Sequence, residues 1–137
     1  MMLVDTSVWI DYFNGYPSAE ADRLARAIND NEPIILCGIV ITEILLGLRS
    51  DTEAARIAEI LDAFNLAPEP DRVDYREAAA IYRRCRSQGH TIRSTIDCLI
   101  ARQCIRHGHD LLTKDRDFRL IASCHPLRLV QAVAREE

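Results

Sequence analysis

Ile34-Ile-Leu-Cys-Gly-Ile-Val-Ile-Thr-Glu-Ile-Leu-Leu-Gly-Leu48 decides the fold. It is apolar throughout except for Thr42 and a single carboxylate, Glu43. A stretch so short of charge belongs to a protein interior, yet its glycines break it too early for a membrane span. Ile34–Cys37 predicts a strand buried on both faces, Gly38 ends it, and Ile39–Leu48 predicts a helix that carries Glu43. An ionised carboxylate in such company is costly to bury unless it is paired. No lysine or arginine lies between Pro33 and Leu48, so its partner comes from elsewhere in the chain or is a metal ion.

The same alternation of short apolar strand and helix extends in both directions. Upstream, Met1–Val4 predicts a first strand ending at Asp5-Thr6-Ser7. Val8, Trp9, Tyr12 and Phe13 then recur at helical spacing until Asn14-Gly15. Ser18 caps a second helix over 19–29, and Asn29–Pro33 forms the turn into the quoted stretch. Downstream, Thr52–Phe64 is amphipathic and helical. Two prolines restrict Leu66–Asp71 to loop or edge strand, and Asp74–Ser87 predicts another helix. Ser94–His107 follows as a helix closed by Gly108 in a left-handed position. Asp110–Thr113 is a third strand, Lys114-Asp115-Arg116-Asp117 a polar turn, and Leu127–Val130 a last strand. Together these predict an α/β fold with a short, mainly parallel central sheet and helices on both faces.

At 137 residues the chain is expected to form one domain, 1–137, with a core of its own. A composition 48% hydrophobic and 28% charged fits a globular protein without repeats or linkers. The formal net charge of -4 argues against non-specific nucleic-acid binding over the whole surface, but leaves room for a local basic rim. Of the 17 basic residues only Lys114 is a lysine, and arginine suits phosphate better. Met1 runs into Leu3-Val4-Asp5 without a basic leader or a cleavage site. The five cysteines (Cys37, Cys85, Cys98, Cys104 and Cys124) include no C-x-x-C pair. Both features predict a cytoplasmic protein with free thiols and no membrane attachment.

In open parallel sheets, ligands bind beyond the carboxyl ends of the strands. Asp5 ends the first strand, and Asp115 follows the third. Glu43 lies about one helical turn past the second. Asp97 sits in the first turn of a helix that starts near the same rim. Each acid also has an ordinary use: Asp5 as a helix cap, Asp97 in a capping box with Ser94, Asp115 and Asp117 as turn residues. Gathered at one edge, however, they would raise one another's pKa values unless a divalent cation neutralised them. Oxygen-only ligation selects Mg²⁺ or Mn²⁺ over zinc. His107-Gly108-His109 reads as a helix end rather than a metal pair. Neither a glycine-rich phosphate loop nor a G-x-S-x-G elbow is present, which sets aside nucleotide-binding ATPases and serine hydrolases.

Leu3-Val-Asp-Thr-Ser7, Thr42-Glu43 in an apolar helix, Asp97, and Leu111-Leu-Thr-Lys-Asp-Arg-Asp-Phe118 occur in this order and at these intervals. They resemble a PIN domain, and more narrowly the VapC-type ribonuclease toxins of type II toxin–antitoxin pairs, from Leu3 to about Val130. The resemblance implies a three-layer α/β/α fold and a Mg²⁺-dependent endoribonuclease, with Mn²⁺ as a substitute. It also implies a homodimer and a small VapB-type antitoxin whose tail covers the site. By motif, Asp5, Glu43, Asp97 and Asp115 take the family's catalytic positions. Asp117 matches a fifth acid able to complete the metal shell, and Thr6 and Thr113 match flanking hydroxyls.

Asp5 and Asp97 are expected to ligate the metal directly, with Asp115 or Asp117 completing the shell. Glu43 is expected to orient or deprotonate the attacking water, leaving a 5′-phosphate and a 3′-hydroxyl. Arg93, Lys114, Arg116 and Arg49 are placed to hold the RNA backbone. An RNA-processing nuclease without an antitoxin would use the same site. A phospho-acceptor receiver domain also carries acids at strand ends, but here Asp11 lies too far along to complete its acidic pair and Glu43 sits inside a helix. A non-catalytic RNA-binding module is the remaining class.

Overall fold

Strands of two or three residues cannot hold register alone, so the sheet rests on four short, chiefly aliphatic strands that all lie side by side in parallel. The structure, a computed structural model, describes residues 1–133; residues 134–137 of the expected domain lie outside them. The strands are β1 (Met2–Val4), β2 (Ile34–Leu36), β3 (Asn65–Leu66) and β4 (Asp110–Leu112), in the order β3-β2-β1-β4. Leu3 pairs with Ile35 on one side and with Leu111 on the other, which fixes the central register. Between the strands run α1 (Thr6–Asn14), α2 (Ala19–Asn29), α3 (Gly38–Leu46), α4 (Asp51–Leu61), α5 (Arg72–Ser87) and α6 (Thr95–His107), and α7 (Arg116–Cys124) follows β4.

The connections from β1 to β2 and from β2 to β3 step one way across the sheet, and the one from β3 to β4 steps back. Right-handed crossovers therefore place α1 to α4 on one face and α5 and α6 on the other. The packing agrees: α1 meets α2 and α3, α3 meets α4, and α5, α6 and α7 contact one another. The winding reverses between β1 and β4, so the crevice past their carboxyl ends is the topological switch point. Beneath it, Leu3, Leu36, Leu111 and Leu112 are buried with Trp9, Leu24, Ile100, Phe118 and Ile121. Trp9 stacks on Phe13 at 5.8 Å and meets the edge of Phe64 at 5.1 Å.

Several local expectations need correction. The quoted stretch does form β2 and α3, but α3 buries only Val40 and Ile44, and Leu46 is 74% exposed. One face of α3 lies against α1 and α4 while the other faces outward, so Glu43 is only half-buried. Helix α5 begins at Arg72, ahead of Asp74, because Asp71 and Asp74 form a reciprocal capping box with both bonds at 2.9 Å. The expected last strand, 127–130, reduces to one bridge, Leu129 opposite Leu111. Segment 116–124, read no further than a polar turn, is helix α7. Asp115 accepts from the Asp117 N–H at its start, and Phe118 and Ile121 bury its inner face. The cysteines are free, four of them buried and Cys124 part-exposed. Among the described residues no helix is long and apolar enough to cross a membrane.

Candidate active site

Parallel pairing of β1 with β4 brings Asp5 and Thr113 to neighbouring strand ends, and the Asp5 N–H continues the ladder to the Leu112 carbonyl at 2.9 Å. Asp5 stands at the N-cap position of α1, yet its carboxylate makes no cap bond. Its Oδ2 instead accepts from Ser7 Oγ at 2.8 Å and from Thr113 Oγ1 at 2.9 Å. Those hydroxyls also accept backbone N–H groups, Ser7 from Lys114 at 3.2 Å and Thr113 from Asp115 at 3.0 Å. Two hydroxyls thus fasten the loop after β4 to the end of β1 and aim Asp5. Burial raises the Asp5 pKa, and the bonds from Ser7 and Thr113 oppose that rise.

Asp97 arrives from α6. Ser94 occupies the N-cap but its side chain makes no cap bond, so the capping box expected for Asp97 does not form. One carboxylate oxygen each from Asp97, Asp115 and Asp117 lies within 4.8 Å of the others. Asp115 caps α7 as well, so its ordinary structural use and its place in the cluster coexist. Asp117 is buried and accepts from the Arg93 N–H at 3.0 Å. Glu43 Oε1 accepts from Thr6 Oγ1 at 2.8 Å, and among the described residues no basic side chain pairs with Glu43. The partner sought for Glu43 in the sequence is therefore a hydroxyl, not an arginine or lysine.

Burial, and then the charges of Asp5, Asp115, Asp117 and Glu43, push the Asp97 pKa up to about 7. Between pH 4 and 7 the folded protein keeps a proton that the unfolded chain has released, so stability falls as pH rises through this window. The cost is full above pH 7, on the order of 2–4 kcal/mol without metal. In metal-free buffer, Asp97→Asn is expected to melt higher than the parent above pH 7, with the gap closing towards pH 4. Melting curves of both proteins across that range check it; a gap independent of pH would contradict it.

The basic rim differs from expectation. Lys114 turns away to Asp11 and lies over the Tyr16 ring at 4.8 Å, so it is already neutralised. Arg116 is exposed, as is Arg119, a residue not singled out in the sequence although it sits at i+3 on the same helix face. With Ser7, Arg93, Lys114 and Asp115 they line an open cleft of about 420 Å³ beside the acids. Arg49 is exposed beyond α3 and does not line that cleft. A larger groove of about 560 Å³ between α5 and α6 is walled by Tyr82, Ile96 and Leu99 and contains none of the five acids. The acidic set offers oxygen donors only, and its mutual repulsion is unrelieved at Asp97, which suits a hard divalent cation.

The family described as the PIN domain matches residues 2–123. A VapC ribonuclease of Mycobacterium bovis is 37% identical over 123 residues, covering 89% of this chain and 92% of the relative. Ribonuclease VapC19 of Mycobacterium tuberculosis is 32% identical over 127 residues, 92% of this chain and 98% of the relative. Among solved structures, VapBC2 from Rickettsia felis, bound to a DNA fragment from its promoter, superposes with a TM-score of 0.73. At 17% identity, over 94% of this chain and 96% of that one, it speaks for the fold alone. Fold, family match and sequence relatives agree, and the chain belongs to the PIN-domain family, among the VapC-type proteins.

Proposed function

We propose that this protein is a metal-dependent endoribonuclease, the toxin of a toxin–antitoxin pair. The observation that carries the reading is the cluster of Asp97, Asp115 and Asp117 at the switch point, with Asp5 and Glu43 close enough for their charges to add to the burial that raises the Asp97 pKa to about 7. Relatives named VapC ribonuclease, and structural neighbours solved as VapBC complexes, support it.

In this reading Asp97, Asp115, Asp117 and Asp5 hold Mg²⁺ or Mn²⁺. When bound, the cation supplies charge for a phosphoryl oxygen and lowers the pKa of an attacking water. Ser7 and Thr113 keep Asp5 from rotating, so its charge stays aimed at the pocket. Thr6 holds one oxygen of Glu43, and the other is free to orient the water or take its proton. His107 and His109 lie at the amino end of β4, the far edge of the sheet, so neither serves as the base, and in this reading carboxylates handle the proton. Arg116 and Arg119 hold the RNA backbone beside the cut. Products carry a 5′-phosphate and a 3′-hydroxyl. A small VapB-type antitoxin, a homodimer and a cytoplasmic location complete the proposal.

Purified protein treated with EDTA should leave single-stranded RNA intact and cut it when Mg²⁺ is restored. Cutting that persists in excess chelator, or a 2′,3′-cyclic phosphate product, would overturn the mechanism. A small reading frame encoding an inhibitory partner beside the gene separates a toxin from an RNA-processing nuclease with the same site.

A further inference from the structure

The acids already hold one cation of the protein's own. Arg93, in the turn between α5 and α6, donates its backbone N–H to Asp117 Oδ2 at 3.0 Å. Its guanidinium lies 3.4 Å from that same oxygen and 3.8 Å from Asp115 Oδ1. Asp117 is almost wholly buried, whereas the Arg93 side chain is 71% exposed. The backbone bond therefore fixes the turn, and the guanidinium rests on the cluster through long contacts open to water. Among the ion pairs of the described residues, Arg93 alone reaches any of the five acids, since Lys114 serves Asp11, and Arg102 and Arg106 serve Asp74.

Asp115 and Asp117 supply two of the three oxygens that close within 4.8 Å of one another. A guanidinium beside them neutralises the same charge that a divalent cation would, and the two cations repel each other at this range. We propose that Arg93 is the resident counter-ion of the pocket: it balances Asp115 and Asp117 until a divalent cation takes their charge, and the released guanidinium then grips a phosphate of the RNA. The fork that meets a carboxylate meets a phosphate equally well, and Arg93 lines the cleft that also holds Arg116 and Arg119. This assignment rests on the metal-dependent nuclease reading above.

Calorimetric titration of Mn²⁺ into the RNA-free protein tests it. Arg93→Gln keeps the backbone N–H bond and removes the charge, so it should bind Mn²⁺ roughly 3- to 30-fold more tightly. Arg93→Lys keeps the charge and should stay within about twofold of the parent. In RNA cleavage at saturating Mg²⁺, Arg93→Gln should raise KM several-fold with kcat little changed. Unchanged or weaker Mn²⁺ binding by Arg93→Gln overturns the counter-ion role, and an unchanged KM overturns the phosphate role. A parent protein that binds no Mn²⁺ at all brings down the metal reading itself, a result distinct from either.

Discussion

Asp97→Asn is expected to lower kcat/KM for RNA cleavage by roughly 10³-fold or more while the fold stays intact. Asp97 lies in the first turn of α6, and its carboxylate is the one on which the charges of the other four acids converge. Asparagine has the same shape, so packing under α6 is preserved, but it brings neither the charge nor the basicity of a carboxylate. The loss should fall mainly on kcat, because the arginines proposed to hold RNA lie outside this substitution. Its separation from misfolding is built in: removing a repelled charge should raise metal-free stability at neutral pH, not lower it. Steady-state cleavage with Mg²⁺ present, beside a melting curve, reads both effects. Cleavage at the parental rate would remove Asp97 from the chemistry.

Asp74→Ala should cause the largest loss of stability. Its carboxylate is fully buried at the start of α5, and it receives Arg102 Nε at 2.9 Å and Arg106 Nη1 at 2.7 Å from α6. Burial works to raise the Asp74 pKa, but the Asp71 backbone N–H and the two arginines outweigh it and hold the group at about 2. Removing the acid strands Arg102, leaves Arg106 only its 3.0 Å contact with Asp71, and opens the capping box. Because Arg106 is part-exposed, the cost should sit at the low end for a broken buried pair, about 3 kcal/mol, or a drop of roughly 10 °C in Tm. The network's stabilisation is present above pH 4 and is lost as pH falls towards 2, so the two proteins should converge in acid. Thermal melts at pH 7 and pH 3 check this. Equal melting at pH 7 would mean that the network contributes no net stability.

Much of the fold could be read from the chain because each central strand is an uninterrupted aliphatic triplet followed at once by a helix start. That pattern admits few arrangements besides a parallel sheet, and it places Asp5 and Asp115 at strand ends before any contact is known. Glu43 was harder. Composition marks residues 34–48 as interior, but which face of α3 is covered depends on α1 and α4, and these leave Leu46 and part of Glu43 open. Ser94-x-x-Asp97 satisfies a capping pattern that the structure does not use, since local spacing does not show that the same carboxylate feels the charges of four other acids. The fates of Lys114 and Arg93 were equally hidden. Lys114 pairs with Asp11, 103 positions away, while Arg93 meets Asp117 across 24, and no short-range rule chooses between such partners. Helix α7 did carry a signal, Phe118 and Ile121 three apart behind Asp115, but the charged run 114–117 reads first as a turn.

In the proposed mechanism a hard divalent cation relieves the repulsion among carboxylates brought together from separate stretches of the chain. Melting temperatures at pH 7.5, taken in MgCl₂ and in NaCl of equal ionic strength, test it most directly. The parent protein should melt several degrees higher in Mg²⁺, and Asp97→Asn should show little of that difference. Identical melting of the parent protein in the two salts would contradict it.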